Sequence, residues 1–317
     1  MRIVILDGHA VNPGDLSWDC LRQFGNVTVY ENTNASQVVQ RLENADIVMT
    51  NKTPITAKLL DACPTIKLVC VLATGYNVVD CDAARARGIP VCNVPDYATN
   101  AVAQFTFSLL LELCNRVGHH DNLVHQGVWT SCPSFCFWDT PQTELAGKTL
   151  GIIGFGRIGR AVGRIAKAMG MEVLAYNRSR HPEGEAIGKY VDLDTLLSQS
   201  DVISLHCPLT AENRGLVNAD FLSKTKDGAI LLNTARGGLL DEQAVADALC
   251  SGKLGGAAVD VVSREPILEN NPLLTAPNCI ITPHMAWAPV QARQRILDCT
   301  VASIQGFLNG LPVNTVN

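Results

Sequence analysis

Short apolar runs alternate with segments of helical spacing along the first hundred residues. The runs are continuously apolar, and the segments between them are rich in Ala, Leu and Arg. Continuous apolar strands separated by helices are typical of a parallel sheet covered on both faces. The pattern therefore predicts an α/β domain, with strands at Arg2–Leu6, Val27–Tyr30, Asp46–Thr50, Leu68–Leu72 and Pro90–Asn93.

A second alternating series begins at Thr149, and its six apolar runs suit a doubly wound parallel sheet. Between the two series, the spacing predicts a helix from about Asn100 to Val117. Residues 118–146 form a long connection, which we expect to serve function or subunit contact. The six predicted strands are Leu150–Ile153, Glu172–Tyr176, Asp201–His206, Ala229–Asn233, Gly256–Val261 and Cys279–Thr282.

A glycine motif follows the first strand of the second series and precedes a segment of helical spacing. Gly154 suits a tight turn, Gly156 allows close approach of a pyrophosphate, and Gly159 allows helix and strand to pack closely. Phosphates bind well at such a helix N-terminus, where unpaired N–H groups favour an anion. The motif predicts a dinucleotide site. The alternative is a glycine-rich turn without a ligand.

The position of this motif in mid-chain predicts two domains. The spacing predicts a last helix over Gln291–Phe307 and a tail, Leu311–Val316, that packs back on the first domain. We expect a substrate domain of residues 1–99 plus 288–317 and an inserted dinucleotide-binding domain of residues 100–287.

The residue after the second strand of a dinucleotide domain selects between NAD and NADP. An NAD-selective site places a carboxylate there to bind the ribose hydroxyls. This chain has Asn177, followed by Arg178, Ser179 and Arg180, which suit a 2′-phosphate. The sequence therefore favours NADP(H) over NAD(H). In the alternative interpretation, the two arginines are solvated loop charges and Asn177 still serves NAD.

Composition narrows the class of protein. The chain has 317 residues, 47% apolar and 17% charged, with a net charge of −5. These values fit two globular domains and argue against a large basic surface for nucleic acid. No apolar run reaches the roughly 20 residues that span a bilayer, and no signal segment precedes the first strand, so we expect a cytoplasmic protein without membrane contact.

The twelve cysteines are scattered, without the spacing of a metal site. We expect Cys70, Cys92, Cys250 and Cys299 to be small buried hydrophobes in a reducing compartment. Cys132 and Cys136 lie in the long connection, where a reactive thiol stays an alternative. No metal is expected.

Polar and titratable residues follow many of the predicted strands, which predicts a ligand cleft between the domains. In order along the chain, the motifs are Thr74–Asp80, Gly154–Gly159, His206–Thr210, Asn233–Gly237, Asp260, Glu265-Pro266 and Pro283-His284. Together they resemble the D-isomer-specific 2-hydroxyacid dehydrogenase family, and the resemblance covers essentially the whole chain. Phe137–Asp139 and Pro283–Trp287 are similar to its glycerate dehydrogenase, or hydroxypyruvate reductase, branch.

The resemblance implies a Rossmann NAD(P)-binding domain inserted in a discontinuous flavodoxin-like domain, and hydride transfer at C2 of a 2-oxo or 2-hydroxy acid. His284 would donate the proton, and Glu265 would orient it and stabilise the imidazolium. Arg236 would bind the substrate carboxylate and polarise the carbonyl. Asp260 would face the nicotinamide. Taken singly, each residue also has an ordinary structural interpretation: His284 as a loop histidine, Glu265-Pro266 as a turn and Arg236 as a surface arginine.

Substrate contacts in the first domain would come from backbone groups at Gly75 and Tyr76 and from the charge of Lys52. Gln104 stands where the family usually has a glutamate, which removes any role for a carboxylate there. The resemblance implies further cofactor contacts by Thr106, Arg157, Ile158, Cys207, Pro208 and Thr234.

The expected reaction is reduction of hydroxypyruvate to D-glycerate or of glyoxylate to glycolate. D-lactate and 3-phosphoglycerate dehydrogenases are alternatives, the latter disfavoured because Lys52 is the only cation near a strand end of the first half. An alternative of another class is a non-catalytic NAD(H)-sensing protein. We also expect a homodimer. His119, His120 and His125 lie in the polar connection without supporting acids, so we expect them to face solvent.

Overall fold

The computed structural model describes residues 1–317, and the chain forms two compact units. The first comprises Met1–Ala98 and Trp287–Asn317, and the second comprises Thr99–Ala286. None of the helices is long and apolar enough to pass through a lipid bilayer.

The first unit contains a five-stranded parallel sheet in the order β2-β1-β3-β4-β5. This is the flavodoxin-like order of a doubly wound sheet. The strands confirm the predicted positions to within one or two residues. They are β1 (Arg2–Ile5), β2 (Asn26–Val29), β3 (Ile47–Thr50), β4 (Leu68–Val71) and β5 (Val91–Cys92). The helices of this unit are α1 (Val38–Arg41), α2 (Ala57–Ala62), α3 (Cys81–Ala86) and, near the end of the chain, α11 (Val290–Leu308).

The C-terminal tail packs on the edge of this sheet, as predicted. The Val316 N–H donates to the Val91 carbonyl at 2.8 Å, and the Asn93 N–H donates to the Asn314 carbonyl at 3.1 Å. Because β5 is an edge strand, these bonds satisfy backbone groups that would otherwise be unpaired.

The second unit contains seven parallel strands, in the order β12-β11-β10-β9-β6-β7-β8. The prediction of six was wrong, because β8 has only two residues and no apolar run to mark it. The chain reverses its direction of progress between β6 and β9, which is where doubly wound sheets bind ligands. The strands are β6 (Thr149–Ile153), β7 (Glu172–Tyr176), β8 (Lys189–Tyr190), β9 (Val202–Leu205), β10 (Ala229–Asn233), β11 (Leu254–Val259) and β12 (Cys279–Ile281).

The predicted helix over residues 100–117 divides into two. Arg116 adopts a left-handed conformation, with φ +47°, and separates the helices on either side of it. The long connection predicted after residue 117 is therefore helical at its start. The helices of the second unit are α4 (Thr99–Asn115), α5 (Val117–His125), α6 (Arg157–Ala168), α7 (Pro182–Glu185), α8 (Leu193–Gln199), α9 (Ala219–Ser223) and α10 (Glu242–Cys250).

The glycine loop of the second unit is anchored by the side chain between its first two glycines. Phe155 is fully buried and meets Tyr190 edge-on, with ring centroids 5.6 Å apart. Burying a phenylalanine side chain contributes roughly 2–3 kcal/mol. The backbone on both sides of Phe155 is therefore held in place.

All twelve cysteines are free thiols. Cys70 and Cys92 are buried, as predicted, and Cys299 is half-buried. The prediction for Cys250 was wrong, because this residue ends α10 and is exposed. Cys132 and Cys136 are both half-buried.

Candidate active site

Two of the three motif glycines are required by close backbone contacts. Gly154 has φ +95°, and a Cβ there would lie 2.4 Å from the Cys207 nitrogen. A Cβ on Gly159 would lie 2.3 Å from the Gly154 carbonyl oxygen. Neither distance is tolerable, so both positions exclude a side chain.

Gly156 differs from the other two glycines because a Cβ there would meet nothing within 4 Å. It precedes α6, and no side chain caps that helix. An uncapped N-terminus beside open space suits a phosphate group. The residues present therefore fit the pyrophosphate of a dinucleotide.

Asn177, which the sequence predicts to influence cofactor choice, is hydrogen-bonded to the glycine loop. Its side-chain oxygen accepts a hydrogen bond from the Phe155 N–H at 3.1 Å, and its amide nitrogen donates to the Ser179 carbonyl at 2.7 Å. Arg178 and Arg180 are exposed beside it. Residues 177–180, which follow β7, thus supply two cations and no carboxylate.

The charge of Arg178 reaches toward Glu212 in the segment that follows β9. The pKa of Glu212 is lowered, chiefly by a hydrogen bond from the Thr210 hydroxyl and to a smaller extent by Arg178. Cys207 is half-buried and Pro208 exposed at this strand end. Asn213 fixes the turn by donating to the Pro208 carbonyl at 2.8 Å.

His206, at the same strand end, is a neutral structural histidine. Desolvation lowers its pKa to about 3, and its Nε2 lies 2.8 Å from the Ser204 hydroxyl. Its N–H donates to the Ile153 carbonyl at 2.7 Å. His206 therefore ties β9 to β6 beside the glycine loop.

Thr106 and Thr234, both predicted to contact the cofactor, lie together. Their hydroxyl oxygens are 3.1 Å apart and both residues are buried. Thr106 also donates to the Val102 carbonyl within α4 at 2.8 Å. The contact joins α4 to the loop that follows β10.

The loop after β10 holds Arg236 at the surface. The buried Asn233 accepts a hydrogen bond from the Ala235 N–H at 3.0 Å and donates to the Arg236 carbonyl at 2.9 Å. A Cβ on Gly237 would lie 1.9 Å from the Val262 carbonyl carbon. The Arg236 loop therefore packs directly against the segment that carries Glu265.

Glu265 and His284 form the pair that the sequence predicts. The Nδ1 atom of His284 lies 2.7 Å from a carboxylate oxygen of Glu265, and the two side chains are 30% and 38% exposed. His284 has φ +54°, which is uncommon for a residue with a side chain. Its N–H donates to the Asp260 carbonyl at 2.8 Å. The pair is accessible, and its orientation is set by both the backbone and the carboxylate.

Asp260 holds the loop around His284. Its buried carboxylate accepts from the Thr282 hydroxyl at 2.7 Å and from the N–H groups of Met285 and Ala286, each at 2.8 Å. The sequence placed Asp260 at the strand end but missed these contacts. Its expected role toward the nicotinamide stays a prediction.

In the first unit, a buried carboxylate that the sequence did not indicate shapes the loop around Lys52. Asp7 accepts hydrogen bonds from the N–H groups of Asn51, Lys52 and Thr53, at 2.7, 2.6 and 2.7 Å. Lys52 itself is exposed at the end of β3. Three successive donors to one carboxylate hold this loop in a single conformation.

Gly75 and Tyr76 lie at the end of the adjacent strand β4. The Asn93 amide donates to the Thr74 carbonyl at 2.8 Å, and Tyr76 is 39% exposed. The first unit thus brings the loops after β3 and β4 to one edge of its sheet, with Lys52 and Tyr76 exposed there. Their contact with substrate stays a prediction.

The expectation that the three histidines of α5 lack supporting acids was wrong, and His120 is half-buried rather than solvent-facing. His119 lies 2.7 Å and His120 3.3 Å from the carboxylate oxygens of Asp139, which is 20 residues away in sequence from His119. His125, the most exposed of the three, lies 3.5 Å from Asp121. No group of three or more His, Cys, Asp or Glu side chains is arranged to hold a metal ion.

Comparison with known proteins bears on this arrangement. A family model described as "D-isomer specific 2-hydroxyacid dehydrogenase, NAD binding domain" matches residues 107–286, more than half of the chain. The chain is 54% identical over 321 residues to a hydroxypyruvate reductase of Blautia hydrogenotrophica, covering 100% of both chains. It is 44% identical over 290 residues to a glycerate dehydrogenase of Methylorubrum extorquens, covering 90% of each. An acyclic imino acid reductase, solved in complex with NADPH and D-Arg, has a TM-score of 0.84 and 29% identity over 100% of both chains.

The two doubly wound sheets carry the motifs at the ends of their strands, as the sequence predicted. The family model and the named relatives indicate the same family as these motifs. The chain therefore belongs to the D-isomer specific 2-hydroxyacid dehydrogenase family.

Proposed function

We propose that the protein uses NAD(P)H to reduce small 2-oxo acids, hydroxypyruvate to D-glycerate or glyoxylate to glycolate. The observation that carries the proposal is the accessible Glu265–His284 pair, 2.7 Å apart, in the unit that contains the glycine loop. The relative that is 54% identical is named a hydroxypyruvate reductase. Relatives named glyoxylate reductase align over most of the chain.

The chemistry assigned to the pair follows from its geometry. When bound, the reduced nicotinamide supplies the hydride, and the protein must supply a proton to the carbonyl oxygen. Because Glu265 holds Nδ1 of His284, we assign proton donation to Nε2 of that imidazole. Glu265 stabilises the imidazolium and fixes the plane of the ring.

The remaining assignments concern substrate binding. Arg236 is exposed on the loop that packs against the Glu265 segment, and its planar guanidinium suits a carboxylate. Lys52, Gly75 and Tyr76 are assigned to the substrate as contributions of the first unit. We assign the second unit to the dinucleotide, in accord with the family model.

We further propose that NADPH is preferred over NADH. Asn177 offers no carboxylate to repel a 2′-phosphate, and Arg178 and Arg180 are exposed next to it. The imino acid reductase with a similar fold was solved with NADPH bound. A ratio of kcat/KM that favours NADH would refute this part of the proposal.

The central experiment measures oxidation of NADPH and NADH by nicotinamide absorbance, with hydroxypyruvate, glyoxylate, pyruvate and 3-phosphohydroxypyruvate as substrates. We expect turnover with the first two. We expect His284→Ala to lose about 10²–10⁴-fold in turnover while retaining NADPH affinity. His125→Ala is the matched control, because that histidine is exposed in the same unit and its acidic neighbour is Asp121 rather than Glu265.

Other outcomes of this experiment identify the alternatives. Preference for pyruvate favours a D-lactate dehydrogenase, and preference for the phosphorylated acid favours a phosphoglycerate dehydrogenase. Binding of NAD(H) without turnover of any acid favours a sensing protein. Wild-type turnover in His284→Ala would remove this residue as the proton donor.

We also propose a cytoplasmic homodimer. The twelve free thiols are typical of a reducing compartment. A groove of about 550 Å³ lies between α4 and α6, lined in part by Phe107, Leu111 and Ile165. Trp129 and Trp138 are exposed in the same unit. A single monomeric mass in light scattering at micromolar concentration would contradict the dimer.

A further inference from the structure

One carboxylate anchors both ends of the segment that carries Glu265. Glu242, in the first turn of α10, accepts hydrogen bonds from the N–H and the hydroxyl of Ser263, both at 2.7 Å. Its second oxygen also accepts from the Asn271 amide at 3.1 Å. Ser263 lies just before Glu265 and Asn271 lies after it, so the Glu242 carboxylate binds the segment on both sides of Glu265.

The anchored backbone leads directly to the proton-donating pair. One oxygen of Glu265 accepts from the Val262 N–H at 3.3 Å, and the other bonds to His284 at 2.7 Å. Val262 is the immediate neighbour of Ser263, so the direction of its N–H depends on how Ser263 is held. Because Gly237 has no side chain, its loop can pack against the peptide group between Val262 and Ser263.

The helix that presents Glu242 is itself firmly packed. Val245, Ala246 and Leu249 of α10 are buried in the hydrophobic core of the second unit. The Asp241 side chain caps the helix by accepting from the Ala244 N–H at 3.1 Å. Glu242 is therefore a fixed point against which the more exposed segment is held.

We propose that Glu242 is a positioning residue for the Glu265–His284 pair, and this inference rests on the proposed function. The hydrogen bonds of Glu242 go to Ser263 and Asn271. Glu242 acts by holding the backbone from which Glu265 reaches the imidazole. Without the hydrogen bonds to Glu242, Glu265 leaves its 2.7 Å contact with His284 part of the time, and the imidazolium of His284 loses stabilisation.

The elements around the pair carry other charged groups. Asp260 follows β11 with its carboxylate turned to the loop amides, Arg236 lies on the loop after β10, and Arg264 adjoins Glu265. Because reduction requires a protonated His284, weaker stabilisation of the imidazolium moves the alkaline decline of the reduction rate to lower pH.

The test compares Glu242→Gln with wild type in the full chain, measuring kcat/KM for hydroxypyruvate against pH with saturating NADPH. We expect a loss of about tenfold at neutral pH, within the range that misplaced catalytic groups cause, and an alkaline limb displaced to lower pH. NADPH affinity should stay within about twofold of wild type, because the altered contacts lie outside the glycine loop. The matched control is Glu269→Gln, which removes the same charge from an exposed position in the same segment.

A second variant covers the case in which Glu242→Gln does not fold. Ser263→Ala removes one of the three donors and keeps the backbone bond, so we expect a smaller displacement in the same direction. An unmoved alkaline limb in either folded variant, with only a lower unfolding temperature, would overturn the inference while leaving the proposed function intact. Failure of the proposed function is recognised separately, by the absence of 2-oxo acid reduction in wild type or by full activity of His284→Ala.

Discussion

Replacing each of two neighbouring glycines by alanine should separate folding from cofactor binding. At Gly154 the new methyl group would lie 2.4 Å from the Cys207 nitrogen, and the backbone has φ +95°. The conformation costs about 1–2 kcal/mol for a residue with a side chain, and forcing atoms into a packed site costs about 1–3 kcal/mol more. Gly154→Ala should therefore lower the free energy of unfolding by about 2–5 kcal/mol.

The same substitution at Gly156 should have a different result. A methyl group there meets nothing within 4 Å, so we expect a loss of stability below about 1 kcal/mol, the cost of alanine at an N-cap. The methyl group would instead fill the space that suits a phosphate. We expect NADPH to bind at least about tenfold more weakly, a change of about 1.4 kcal/mol.

Urea unfolding and fluorescence titration with NADPH measure the two effects. Gly252→Ala is the control for conformation alone, because Gly252 has φ +76° and open surroundings. If Gly154→Ala costs no more than Gly252→Ala, the close approach of the loops does not constrain the backbone. If Gly156→Ala binds NADPH as wild type does, the phosphate does not lie at this glycine.

Two further predictions concern acid stability. The pKa of His206 is about 3 in the folded protein, against 6.5 ordinarily. Below pH 6.5 the unfolded chain therefore takes up a proton that the folded chain does not, and stability falls by about 1.4 kcal/mol per pH unit down to the folded value. Urea unfolding at pH 7 and pH 5 should show a smaller loss for His206→Gln than for wild type, and equal losses would contradict this. Asp15 has a lowered pKa because Arg293 donates to it. The contribution of this pair to the free energy of unfolding is therefore present above the ordinary pKa of 3.8 and is lost as pH falls through the pKa of the folded protein. Arg293→Met should remove that contribution, so the variant should unfold at a lower temperature than wild type at neutral pH and lose this difference at strongly acidic pH. A difference in unfolding temperature that is equal at the two pH values would refute this prediction.

The sequence predicted the elements with a clear apolar period and missed those without one. Eleven of the twelve strands could be predicted from apolar runs, whereas β8 has only Lys189 and Tyr190. The division between α4 and α5 was also missed. It depends on the left-handed conformation of Arg116, and no glycine marks the position.

The candidate site was predicted unevenly for a physical reason. Glu265 and His284 are recognisable because side-chain chemistry and motif order identify them. Asp7 and Asp260 act largely by accepting hydrogen bonds from backbone N–H groups, and Glu242 accepts one such bond. Since nearly every residue has an N–H, such an acceptor has no partner that can be identified in the sequence, and only the folded backbone shows it.

The contact between Asn177 and Phe155 has a consequence for how cofactor choice can evolve. The Asn177 oxygen that accepts the Phe155 N–H would be retained in an aspartate, and only the nitrogen that donates to Ser179 would be lost. Exchange of that one atom would place a carboxylate at the end of β7 while leaving the bond to the glycine loop. An Asn177→Asp exchange needs only a single-nucleotide change in the codon, and it would alter the charge at this strand end while keeping the bond to the glycine loop.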